Sequence, residues 1–221
     1  MDQYTGPTYY IESGHKAVIE FARSRTIGAV DEVARAVMLF YAVRDEVRYN
    51  PYLYTFDRDR YRASVALENM EGFCIQKAIL LAAASRALGI PCRLGFANVV
   101  NHLSTKRMRE VMKTDLFVFH GYDELFLSGR WVKATPAFNV TLCEKFGITP
   151  LEFDGVNDSV FHPFDRSGNR HMEYVHDYGP FADFPFQMMI DESVKHYPNL
   201  ATFMEKHKNG GLFSGDDDPE L

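Results

Sequence analysis

The chain has 221 residues, of which 46% are hydrophobic and 24% charged, and its formal net charge is −6. Because nucleic-acid binders carry a basic field, this balance argues against a nucleic-acid partner. Three scattered cysteines are too few for a disulfide framework or a CxxC zinc site, so we expect a reduced, cytoplasmic protein. The sequence shows neither a signal-peptide pattern nor an apolar run of membrane-spanning length, so no membrane partner is expected.

Helical spacing of apolar residues predicts two helices in the first quarter of the chain, over 13–23 and over about 30–49. The aromatic segment 52–62 reads as a surface loop. A short helix is predicted over 65–70, after a serine that can cap it.

A buried helix is predicted over 75–88, the stretch around which the rest of the chain is organised. Strong helix formers fill it, and residues 80–84 are apolar on every side. Gly89 followed by Pro91 is a good stop signal.

Cys74 stands at the first turn of this helix, directly after Gly72-Phe73. The positive end of the helix dipole favours a thiolate there, so we interpret Cys74 as a nucleophile with a lowered pKa. The alternative is that it is an inert small hydrophobe, which is how we interpret Cys92 and Cys143.

Alternation with period two predicts strands over 92–99, 116–127 and 131–135, with a tight turn at Ser128-Gly129. In the second strand, the alternation places residues 116, 118, 120, 122, 124 and 126 on one face. The basic stretch 101–114 between the first two strands is predicted to hold a short surface helix.

The signals weaken in the last third of the chain. A short helix is predicted over 140–146, loops with a hairpin around 167–169 over 153–178, and two short helices over 186–197 and 199–207.

We expect a single domain over 1–208, with its core at about 30–140 and a C-terminal elaboration at about 141–208. The acidic stretch 209–221 is predicted to be a disordered tail.

His120 is the best candidate for a base that takes the proton of Cys74. It lies in the middle of a predicted strand on a mostly apolar face. A histidine in that position is often a core residue bonded to a backbone carbonyl, but here a cysteine at a helix start precedes it.

Four motifs in order resemble the core of the transglutaminase-like superfamily: Gly72-Phe73-Cys74, then 86–93 at the end of the buried helix, then 120–124, then 131–137. The resemblance covers about residues 30–140. It implies an α+β, papain-like fold, in which a cysteine at the start of a buried helix packs against an antiparallel sheet that carries the histidine.

The resemblance also implies a Cys-His-Asp triad. Cys74 and His120 match directly, whereas the Asp position holds Thr135. A threonine hydroxyl can orient the imidazole but offers no charge to stabilise its protonated form. Asn139 is a second candidate for the third position. A carboxylate from Asp123, which lies on the other strand face, or from 154–177 also remains open.

The implied activity is that of a thiol enzyme acting on a peptide or protein amide through an acyl-thioester. Many bacterial members of the superfamily are thought to be hydrolases, so hydrolysis by a cysteine protease or amidase is favoured over cross-linking by an acyltransferase. No cofactor or metal is implied, and the oligomeric state stays open.

Two other functions compete with this interpretation. The first is a degenerate, non-catalytic member of the fold that binds a peptide or protein partner, which Thr135 favours. The second is a metal-dependent hydrolase, although the available histidines and aspartates lack a ligand spacing such as HExxH. Its ligands would come from His162, Asp165, His171, His176 and Asp177.

Overall fold

The computed structural model describes residues 1–102, 108, 112–161, 165–169 and 171–200. The helices are α1 (Lys16–Arg25), α2 (Glu32–Glu46), α3 (Ala63–Asn69), α4 (Cys74–Ala87), α5 (Val140–Phe146) and α6 (Phe186–His196). The strands are β1 (Arg48–Tyr49), β2 (Glu71–Gly72), β3 (Cys92–Asn101), β4 (Leu116–Leu127), β5 (Arg130–Ala134) and β6 (Met172–Phe181). None of the described helices has the length and apolarity needed to cross a bilayer. The architecture is α+β, as predicted.

The main sheet is antiparallel, and its strand order is β5-β4-β3-β6. The tight turn at Ser128-Gly129 joins β4 to β5, and both of its residues have positive φ. The short strands β1 and β2 form a separate parallel pair that brings the end of α2 next to the start of α4.

Helix α4 forms the centre of the core. Every residue from Cys74 to Arg86 is buried, because the helix packs against the sheet while α1, α2 and α3 pack around it. A helix surrounded in this way needs apolar residues on all sides, which is the pattern that predicted its burial. It ends as predicted, with Gly89 at φ +79°.

A bulge interrupts β4 just before His120. Ala97 of β3 pairs with His120 and Val99 pairs with Phe117, so β4 carries one extra residue between these pairs. Phe119 has φ +63°, and its N–H donates to the side-chain carbonyl of Asn98 at 3.1 Å. The strict alternation predicted across this strand is therefore wrong before residue 120, because a bulge shifts the following side chains relative to those before it.

One predicted helix boundary and one predicted loop also need correction. The helix expected over 30–49 ends at Glu46, and Arg48–Tyr49 pairs with β2 instead. Residues 172–181 are strand β6, which pairs with β3, and not loop. Most of β6 is exposed at the edge of the sheet, so its sequence lacks the apolar alternation of a half-buried strand.

Some predicted elements lie mainly or wholly outside the described residues. They are the surface helix over 101–114, the helix over 199–207 and the tail over 209–221. The helices predicted over 140–146 and 186–197 are confirmed as α5 and α6.

Candidate active site

Cys74 is the first residue of α4, as the sequence predicts, and its side chain is buried. The preceding Gly72 lies in β2, where an added Cβ would stand 3.1 Å from the Cβ of Gln76. The side-chain carbonyl of Gln76 accepts the N–H of Phe73 at 3.2 Å, which satisfies one of the free donors at the helix start. The thiol is thus held at the N-terminus of a rigid, buried helix.

Strand β4 crosses the first turn of α4 at Gly121. A Cβ at Gly121 would lie 3.1 Å from the Cα of Ile75 and 3.2 Å from the carbonyl oxygen of Cys74. Such a contact would be tighter than most Cβ atoms make, and glycine avoids it because it has no Cβ. This approach places His120, the neighbouring residue, beside the start of α4.

Cys74 and His120 line the same cleft, whose empty volume is about 890 Å³. Side chains from β3, β4, β6 and the segments after β1 and α6 form the other walls. The structure therefore brings the predicted nucleophile and the predicted base to one opening.

Both groups are neutral at pH 7. Burial raises the pKa of the Cys74 thiol to about 11, although the backbone N–H groups of Gly121 and Ile75 act in the opposite direction. Burial also lowers the pKa of His120 to about 3. The prediction of a low-pKa thiolate is therefore wrong for this buried thiol. Loss of water around the sulfur raises the pKa more than the backbone N–H groups near the helix start lower it.

Among the described residues, aromatic rings rather than a carboxylate contact the His120 ring. Its centroid lies 4.9 Å from that of Phe161, which in turn lies 4.9 Å from that of Phe138. Its Nε2 atom is buried and has no hydrogen-bond partner in the described part of the chain. A neutral imidazole with a free nitrogen can accept a proton from a thiol as the sulfur attacks.

Thr135 follows β5 and is buried, 1% exposed. Because Asp123 pairs with Ala134, the register puts Thr135 beside Tyr122, on the face that carries His120. The described part of the chain shows no hydrogen bond between the Thr135 hydroxyl and His120.

Asn139 does not approach His120 through its side chain. Its carbonyl accepts the N–H of Tyr49 at 2.7 Å, and its amide donates to the backbone carbonyls of Val47, at 2.9 Å, and Arg44. The described hydrogen bonds of its side chain therefore hold the end of α2 and the strand β1 that follows it.

Two of the carboxylates that the sequence left open are engaged elsewhere. Asp123 is fully buried, and its Oδ1 lies 3.6 Å from the thiol of Cys92. Asp177 on β6 accepts the hydroxyl of Tyr122 at 2.9 Å and the ammonium of Lys133 at 3.3 Å.

Lys77 is a functional support that the sequence analysis missed. It is completely buried one turn after Cys74, and its ammonium nitrogen lies 2.9 Å from the Arg44 carbonyl and 2.5 Å from that of Val47. Burial lowers its pKa to about 7. A lysine in the middle of an otherwise apolar helix was the signal that could have revealed it.

The ligand set of a metal-dependent hydrolase is not assembled in the described part of the chain. No group of three or more His, Cys, Asp or Glu side chains is placed there to hold a metal ion. Asp165 instead accepts the N–H groups of Ser167 and Asn169, and His162 lies outside the described residues.

Comparison with known proteins adds a family match. The model of the transglutaminase-like superfamily matches residues 19–136, which contain Cys74, His120 and Thr135. No curated protein matches the chain. A crystal structure of a candidate cysteine protease from Cytophaga hutchinsonii aligns at 16% identity and a TM-score of 0.48, covering 80% of this chain and 53% of that one. The chain thus spans about half the length of that protein.

The burial of neutral His120 predicts a specific loss of stability in acid. An unfolded histidine takes up a proton near pH 6.5, but the folded one resists it down to about pH 3. The contribution of neutral His120 to the free energy of unfolding is therefore complete above pH 6.5, and it is lost as the pH falls from there towards 3. Between pH 7 and 5, the free energy of unfolding should fall by about 2 kcal/mol more in the wild type than in His120→Gln.

Urea unfolding at a series of pH values measures this difference. His15→Gln is the matched control, because His15 is exposed. Its stability should follow that of the wild type across the range. Parallel curves for the wild type and His120→Gln would show that His120 is not held neutral by burial.

Proposed function

Because the chain belongs to the transglutaminase-like superfamily, we propose that it is a thiol hydrolase that cleaves amide or peptide bonds through Cys74 and His120. The observation that carries this proposal is the shared cleft: the thiol at the first turn of α4 and the imidazole after the β4 bulge line one opening. Two groups positioned by rigid elements in this way suit a nucleophile and its base.

In the proposed first step, the sulfur of Cys74 attacks the carbonyl carbon of the amide while its proton passes to Nε2 of His120. The concerted transfer is needed because both groups rest in the neutral state. Backbone N–H groups at the start of α4, which lack partners within the helix, would donate to the developing oxyanion.

In the second step, His120 returns the proton to the leaving amine, and the C–N bond breaks to give an acyl-thioester on Cys74. Water, deprotonated by His120, then attacks the thioester and releases the acid and the thiol. If an amine were to replace water, the same intermediate would give a transamidated product.

A catalytically degenerate protein that binds a peptide is the second candidate function. Thr135 in place of an aspartate favours it, since no carboxylate contacts His120 among the described residues. An imidazolium formed in that environment would lack a charged partner.

Amide hydrolysis tests the proposal directly. A panel of peptide p-nitroanilides should give measurable release of p-nitroaniline, and Cys74→Ala should lower kcat/KM by at least about 1,000-fold. Cys143→Ala is the matched control, because it removes another buried thiol outside the cleft. Added primary amine should leave acid as the main product.

Activity that survives Cys74→Ala would contradict the assignment of the nucleophile. Saturable binding of the same peptides without turnover would favour the degenerate binding protein. Amide products in place of acid would turn the assignment from a hydrolase to a transferase.

We propose that the Thr135 hydroxyl orients His120, although the described residues show no hydrogen bond between the two side chains. Thr135→Val keeps the shape but removes the hydroxyl, so kcat should fall by about 10-fold or more. Thr135→Ser retains the hydroxyl and should keep most of the activity. Thr141→Val, an exposed site on α5, is the control and should leave kcat unchanged. Equal rates for the Val and Ser variants at position 135 would remove Thr135 from the site.

A further inference from the structure

The cleft around Cys74 is apolar to an unusual degree for a site proposed to act on peptides. Among the lining residues that the structure describes, none is Lys, Arg, Asp or Glu. Aromatic and methionine side chains dominate the lining; examples are Tyr49, Tyr54, Phe117, Phe138, Met172 and Tyr197. Such walls recognise a group by its apolar surface rather than by charge.

These apolar walls surround the reacting atoms themselves. Burial alone accounts for the lowered pKa of His120, and burial is the largest influence on the pKa of Cys74. A charge carried next to the scissile carbonyl would enter the same environment and lose its hydration. An apolar group there would instead gain contacts.

Hydrogen bonds that do not involve a ligand already hold two walls of the cleft. The Tyr197 hydroxyl donates to the carbonyl of Leu116 at 3.0 Å and accepts the N–H of Val118 at 2.7 Å. On the opposite side, Tyr49 is fixed through its N–H to Asn139 at 2.7 Å. Walls that are held before binding can select for shape.

We infer that the cleft selects a substrate whose acyl portion is uncharged and apolar, of at least the size of an aromatic ring or a six-carbon chain. This inference rests on the proposed function for the identity of the reacting group. Apolar and aromatic side chains line the cleft beside Cys74 and would contact such a group. Each methylene that it buries should strengthen binding about fourfold.

The selectivity can be measured without any turnover, by alkylating Cys74 in the intact chain. Three reagents share the same reactive carbon: N-benzyl-2-iodoacetamide, 2-iodoacetamide and iodoacetate. Rates at Cys74 are followed by mass spectrometry of its peptide and divided by the rates with glutathione. The benzyl reagent should saturate and react at least about 30-fold more efficiently than iodoacetamide, and iodoacetate at least about 10-fold less.

Phe117→Glu adds a charge to the half-buried cleft wall and should abolish most of the preference for the benzyl reagent. Phe126→Glu is the matched control: Phe126 is a half-buried residue of the same strand that contacts Trp131 outside the cleft. Its preference should equal that of the wild type. Circular dichroism and thermal unfolding establish that both variants are folded.

Equal normalised rates for the three reagents, or a preference for iodoacetate, would overturn the inference. A Cys74 that reacts with none of them in the folded chain, but does so after unfolding, would overturn it equally. A benzyl preference in a protein that hydrolyses no amide would leave the apolar cleft standing and reject the hydrolase. Amide hydrolysis without a benzyl preference would support the hydrolase and reject the selection of an apolar acyl group.

Discussion

The close approach of β4 to the first turn of α4 is the constraint on which the candidate site depends. Glycine at position 121 permits it without any displacement, whereas a Cβ there would lie 3.1 Å from the Cα of Ile75 and the neighbouring backbone would have to shift by a few tenths of an ångström. The preceding bulge, with Phe119 at φ +63°, sets the direction of His120. Shifting either feature would separate the imidazole from the thiol even if both residues were kept.

A buried polar cluster at the end of α2 supports this arrangement. Lys77 and Asn139 both donate to the backbone carbonyls of Arg44 and Val47, which satisfies the open end of α2. Asn139 also fixes Tyr49, a wall of the cleft. The same few bonds therefore join the helix that carries the thiol to the surface that would receive a substrate.

Much of the fold could be predicted where the signal is local. Helix α4 is apolar on all sides and is stopped by Gly89, so its position and burial follow from the sequence. Strand β6 could not be predicted, because it is an exposed edge strand whose pairing with β3 is long-range. The helix start at Cys74 and the strand that carries His120 also follow from local pattern. The pKa of Cys74 does not, because desolvation comes from tertiary contacts.

The pairing of Cys74 with His120 is tested most simply by transfer of an acyl group to the thiol. The mass of the intact protein is measured shortly after mixing with the p-nitrophenyl ester of hexanoic acid. We expect one hexanoyl group, mapped to Cys74, that forms at least about 100-fold more slowly in His120→Gln. Acylation of Cys92, Cys143 or lysines instead, or an equal rate without His120, would contradict the pairing of Cys74 with His120.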